Sequence, residues 1–195
     1  MCSLFKSGFL NSDLLFLIIE LNNNILIPIP MTSKVWYIST KVDDDVRYSN
    51  HSLKSKVLKV LKDKDGWESI DKIVFKYVDW NTLASIDSKN KIPIRLSNNK
   101  TIVKMCGFKE IEKLSCCNMQ TKEVWLNFYR WKNGAKPSKL SLDKYRSYMI
   151  NHEVGHALGR LHAKCECEGC SAPIMMQHTI SIGKCKPNFK PLKHE

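Results

Sequence analysis

Acidic side chains are scarce in this chain of 195 residues: 19 Asp and Glu stand against 31 Lys and Arg, for a formal net charge of +12. Such an excess can draw in acidic ligands, nucleic acid or an anionic surface. What is missing is an arginine-rich cluster interleaved with aromatics. The lysines are scattered along the whole chain, so they read as a solubilising surface, and nucleic acid is not an expected partner. Long hydrophobic runs are also missing. "LLFLII" (14–19) ends at Glu20, and apolar character resumes only at "ILIPIP" (25–30), after three asparagines. That interruption argues against a transmembrane helix. As a signal peptide, the segment has only Lys6 for its basic region and no clear small-residue cleavage site. Residues 1–30 are therefore read as an apolar extension: a weak signal-like segment, or a start called too early, with Met31 as the true one. Internal repeats and low-complexity linkers are absent. A charged fraction of 26% and an apolar fraction of 43% exclude wholesale disorder. The remaining length, 31–195, suits one domain with its own core, expected to be monomeric.

Histidine is the rarest informative residue. The chain has six, and half of them lie in "NHEVGHALGRLH" (151–162). A helix starting near Ser141, a plausible N-cap, runs through this stretch. His152 and His156, four residues apart, then share one helix face, so two imidazoles can meet one ion. Gly159 can adopt a left-handed backbone, end the helix and swing His162 back to the same point. Three neutral imidazoles leave the fourth position of a tetrahedral zinc open, as catalysis requires. Glu153, beside His152 and not needed as a ligand, is suited to act as general base. Solvated helix histidines are the bland alternative; five specified residues in eleven positions weigh against it. Copper, nickel or iron also bind imidazole, but this set most favours zinc.

The rest of the chain reads as an α+β domain with a mixed sheet. "SKVWYISTKV" (33–42), "KIVFKYV" (72–78), "KIPIRLS" (91–97), "KTIVKMC" (100–106) and "KEVWLNFYRW" (122–131) read as strands. Pro93 assigns the third of these stretches to an edge or a bulge. "HSLKSKVLKVLKD" (51–63) is an amphipathic helix with Leu53, Val57, Val60 and Leu61 inward, closed by the glycine of "DGW". After Gly159 regular pattern fails. The eight cysteines fall in groups: Cys2 alone; Cys106, Cys116 and Cys117; and Cys165, Cys167, Cys170 and Cys185. Grouping points to disulfides or metal. The last four could hold a second, structural zinc, although Cys165 and Cys167 are very closely spaced for one.

"HEVGHALGRLH" resembles the long zinc signature of the metzincin metallopeptidases, H-E-x-x-H-x-x-G-x-x-H. That resemblance implies a methionine turn under the metal, and Met175 in "SAPIMMQ" fits it best. Gln177 and His178 follow, so a tyrosine ligand is not implied. From about Trp36 to Pro191 the chain also resembles a family of mostly secreted bacterial proteins with a metzincin-like motif. The matching pieces are "DGW", "CGF", "SCCN", "VWLNFYRW", "YRSYMINHEVGHALG", "APIMMQ" and "CKPNF". The resemblance implies a metzincin-like fold: a mixed sheet, a backing helix, an active-site helix and an irregular Cys-rich C-terminal part. It implies zinc peptidase chemistry on a peptide or protein substrate, with "VWLNFYRW" near a substrate-binding edge strand. Cysteines of that family match Cys165 with Cys185 and Cys106 with Cys116. This implies those two disulfides and an oxidising, secreted setting; Cys167 and Cys170 have no clear match in that family, and their C-x-x-C spacing leaves them as candidates for a labile third pair. In a reducing cytosol or inside a particle the same thiols would stay free and the second zinc would gain weight. Two other readings remain open: a non-catalytic binding protein on a metallopeptidase scaffold, and a basic particle- or nucleic-acid-associated protein.

Overall fold

The computed structural model describes residues 33–195 apart from Ser88 and Phe108; the reading of residues 1–30 lies outside the described residues. Its centre is a five-stranded sheet in the order β2-β1-β3-β5-β4. The strands are β1 (Lys34–Val42), β2 (Ile73–Tyr77), β3 (Lys91–Ser97), β4 (Cys116–Asn118) and β5 (Glu123–Asn127). β1, β2, β3 and β5 are mutually parallel and β4 is antiparallel to β5. The sheet is thus mixed, in an α+β chain, as the pattern of elements predicts.

Register explains the core. Thr40 pairs with Ile94 and Ile94 with Val124; Val42 pairs with Leu96 and Leu96 with Leu126. These alternate positions share one face, and Ile94, Leu96, Val124 and Leu126 are all fully buried. Two long helices pack there: α1 (Asn50–Leu61) and α6 (Leu142–Ala157). α1 is amphipathic as read: Leu53, Val57, Val60 and Leu61 are its buried residues. α6 is different. Eleven of its 16 residues are buried, so it carries no single apolar stripe and runs through the interior. On the opposite face Arg95 lies over the rings of Trp80 and Trp125. Among the described residues no helix is long and apolar enough to cross a membrane.

The structure corrects five local expectations. "KTIVKMC" is not a strand but a helix, α4 (Asn99–Cys106). Its caps outweigh the β preference of Thr, Ile and Val: the Asn98 side chain accepts from Thr101 N–H, and Gly107 closes the helix at φ 72°. "KEVWLNFYRW" is strand only to Asn127. That side chain then accepts from Tyr129 N–H and starts α5 (Phe128–Asn133). β5 lies between β3 and β4, so it is not an edge strand. β3 is not an edge strand either. Pro93 is tolerated because it pairs with β1 alone; the ladder to β5 begins only at Ile94. Finally, Gly66 does not close α1, which ends at Leu61 with Lys62 as its cap. Gly66 instead precedes a short helix, α2 (Trp67–Asp71). The remaining helix, α3 (Trp80–Ser85), starts at Trp80.

Candidate metal centre

α6 positions the first half of the site. Tyr145, Tyr148, His152 and His156 follow one another at helical spacing, and successive rings lie 5.6, 5.3 and 4.8 Å apart. Trp67 of α2 braces the helix from behind. It is fully buried and its indole N–H donates to Asn151 O at 3.0 Å. Burying an indole removes roughly 150–250 Å² from water, an upper bound of about 4–6 kcal/mol at ~25 cal/mol per Å². The helix then ends. Gly159 takes φ 101°, with nothing within 4 Å of where a Cβ would sit. Arg160 N–H reaches back to Gly155 O, and the Arg160 guanidinium pairs with Asp71 and lies over Trp67. The turn is thereby fixed and His162 comes back toward the helix.

One candidate nitrogen from each of His152, His156 and His162 lies within 4.8 Å of the others. The hydrogen bonds fix which nitrogens carry protons. His152 Nδ1 lies 2.8 Å from Ile174 O, and His156 Nδ1 lies 2.8 Å from Arg160 O. A carbonyl only accepts, so both Nδ1 atoms are protonated and both Nε2 atoms present lone pairs. His156 Nε2 is 3.1 Å from His162 Nε2. Two imidazoles on a tetrahedral zinc, with Zn–N of about 2.0–2.1 Å, hold their nitrogens roughly 3.3 Å apart. The donor set and its spacing therefore fit a metal ion held through Nε2. Burial lowers the pKa of His152 to about 3 and also lowers that of His156, which keeps both neutral and ready to ligate.

Glu153 is 5% exposed. Burial pushes its pKa up to about 8; a cation at the imidazoles would favour the charged form instead. Glu153 and the three histidines line a cleft of about 250 Å³ together with Leu114, Cys117, Met119, Tyr148 and Met149.

The tail supplies the floor. Met175 is 1% exposed, and a Cβ on Gly155 would overlap its sulfur and lie 3.1 Å from Trp67. Glycine at that position in α6 lets the methionine turn approach the helix. The turn is held at both ends: Ala163 N–H donates to Met175 O, and Met175 N–H donates to the Glu195 carboxylate at 2.9 Å. His178 is a residue that spacing alone did not single out. It is fully buried, stacks on Tyr148 at 4.3 Å, and its Nε2 donates to Pro173 O at 2.8 Å. Tyr148 OH accepts from His178 N–H and donates to Met176 O. Burial lowers the pKa of His178 to about 4. This network holds the carbonyls of Pro173 and Met176, on either side of Ile174, whose own carbonyl meets His152. The only sequence signal was a histidine three residues past the turn methionine, too far from the motif to be read with it.

The cysteines pair as the resemblance implies, Cys106–Cys116 and Cys165–Cys185, and Cys167–Cys170 forms a third disulfide. Cys117 is free and half-buried in the cleft. Its pKa is pushed up to about 12 by burial and by the charge of Glu153, which leaves it a neutral thiol.

No curated protein and no solved structure matches the chain. Residues 30–189 match the family described as "Protein of unknown function (DUF3152)", and the chain belongs to that family.

Proposed function

We propose that the protein is a zinc-dependent endopeptidase of metzincin type. The observation that carries this reading is the convergence of three imidazoles, two of them with Nδ1 tied to backbone carbonyls, beside a buried carboxylate in an open cleft. His152, His156 and His162 would hold the ion. Bound zinc supplies Lewis-acid polarisation of a carbonyl and lowers the pKa of an attacking water toward about 7. Glu153 takes the proton of that water and delivers it to the leaving amine nitrogen, so one carboxylate serves as base and then as acid. β4 is one of the two edge strands of the sheet, and Cys116, Cys117 and Met119 line the cleft. An extended peptide adding to β4 by backbone hydrogen bonds is brought across the metal centre. This role replaces the one expected of the β5 stretch. The same chemistry serves other amides, and a peptide readout separates them.

The test is a complex peptide library incubated with the zinc-loaded protein and read by mass spectrometry. New peptide termini are expected from the native chain. Glu153→Gln should keep zinc and lose turnover by about a hundred- to ten-thousand-fold. Unchanged hydrolysis in that variant contradicts the reading, as does an inert native chain that carries full zinc.

A further inference from the structure

We infer that Cys165, Cys167, Cys170 and Cys185 form a second metal site, a tetrathiolate zinc centre, when their two disulfides are reduced. Spacing along the sequence argues against this, because Cys165 and Cys167 are too close to act as a ligand pair. In space the pairs are different: Cys165 sits with Cys185, and Cys167 with Cys170, with Cα–Cα distances of 5.8 and 5.5 Å. The two pairs also meet. Cys165 Sγ is 3.3 Å and Cys185 Sγ 3.6 Å from the same carbonyl oxygen, that of Cys167. The Cys165–Cys185 bridge thus lies against the backbone of the turn that carries Cys167 and Cys170.

The loops that carry them do not depend on the sulfur bonds. Gly169 N–H donates to Lys184 O at 3.0 Å, Lys186 N–H to Cys170 O at 2.7 Å and Ala172 N–H to Lys186 O at 2.9 Å. Two tight turns face each other, and each ends on a cysteine: Cys170 N–H donates to Cys167 O, and Cys185 N–H to Ile182 O. Gly169 takes φ 75° in the first turn. Ala172, Ile182 and Cys185 form a small apolar cluster of their own, with Cys165, Cys170 and Met176 packed against it. Ligand sulfurs on a tetrahedral zinc lie roughly 3.8 Å apart at a Zn–S distance of about 2.3 Å. Reduction frees the two sulfurs of each pair to move apart toward that separation. Lys164, Lys184 and Lys186 flank the cysteines in sequence, beside Glu166 and Glu168, and Lys184 pairs with Glu168 at 3.9 Å.

The chemistry balances. Each S–S bond takes two electrons and two protons from a dithiol, which closes to its own disulfide, and yields two thiols. The four thiols then release four protons as the ion binds. The tail would be cross-linked in either state, by sulfur when oxidised and by zinc when reduced. Cys165 follows His162 by three residues, so both states tether the third imidazole.

The test is metal counting on the full chain, oxidised and then reduced without oxygen by a phosphine, followed by zinc and gel filtration. Reduction should add one zinc per chain. The gain should persist in His156→Ala/His162→Ala, which removes the imidazole site, and in Cys106→Ser/Cys116→Ser, which removes the other disulfide. It should vanish in Cys167→Ser/Cys170→Ser. Should that last variant fail to fold, cobalt loaded into the unmutated reduced chain decides: an intense thiolate-to-cobalt charge-transfer band is expected, which imidazole ligands do not give. No added zinc on reduction, no such band, or a gain that survives loss of Cys167 and Cys170 overturns the inference.

Discussion

The two halves of the candidate metal centre are built by opposite means. α6 contributes His152, Glu153 and His156 from a regular helix buried over most of its surface. The segment after Gly159 contributes His162, Met175 and His178 with no named helix or strand among its described residues. In the helix, geometry follows from spacing: one turn separates two ligands, and packing against Trp67 and the sheet fixes the turn. In the tail, geometry follows from individual polar contacts and covalent links: Ile174 O on His152, Arg160 O on His156, Glu195 on Met175 N–H, and the Cys165–Cys185 bridge. A regular element encodes a site in its period, whereas an irregular one needs a named partner for each placed atom.

The largest expected effect tests whether the two halves are equal partners. His156→Ala in the helix and His162→Ala in the tail should each reduce zinc from stoichiometric to trace by elemental analysis, because three ligands are needed for tight binding. Full retention in His162→Ala alone would reduce the tail to a bystander.

Stability separates the halves next. Gly155→Ala places a methyl group against Met175 Sδ and Trp67, and should cost about 1–3 kcal/mol in denaturant unfolding, with occasional larger losses for overpacking. Gly159→Ala meets no neighbour and pays only for its left-handed backbone, about 1–2 kcal/mol. A neutral Gly155→Ala would mean that the methionine turn does not press on the helix.

A smaller effect appears in pH dependence. The pKa of His178 is lowered by burial to about 4, against about 6.5 in an unfolded chain. Between these values the unfolded state holds the proton and the folded state does not. Its contribution to stability is therefore present above about pH 6.5 and is lost as pH falls toward about 4. In the presence of a chelator, His178→Gln should flatten the stability curve in that window by one proton, about 1.4 kcal/mol per pH unit. An unchanged slope would place the titration elsewhere. The smallest effect is Met175→Leu, which conserves volume and should cost less than about 1.5 kcal/mol while zinc content holds. Loss of zinc there would give the sulfur a direct part in holding the ion.

The contrast between the halves also explains what could be read from the chain beforehand. The histidine spacing, Glu153, the turn at Gly159 and the α1 face are periodic or motif-bound, and they were legible. The α4 and α5 helices were not. Their β-branched and aromatic residues argue for strand, and only the caps at Asn98 and Asn127 reverse the outcome. β4 was missed because three residues are too few for a pattern to emerge. His178, Tyr148 OH and Glu195 act through backbone atoms distant in sequence, and no local periodicity records such contacts. The Cys106–Cys116 and Cys165–Cys185 pairings came from resemblance to other sequences, and only Cys167–Cys170 from spacing.

The central claim is that three imidazoles hold one zinc through Nε2. Anomalous scattering from crystals of the zinc-loaded protein, collected on both sides of the zinc edge, tests it most directly. The account predicts a single strong peak among His152, His156 and His162 at about 2.0–2.1 Å from each Nε2, with Glu153 outside the coordination sphere. No peak there, or a metal bound through Glu153 in place of one of the imidazoles, would contradict it.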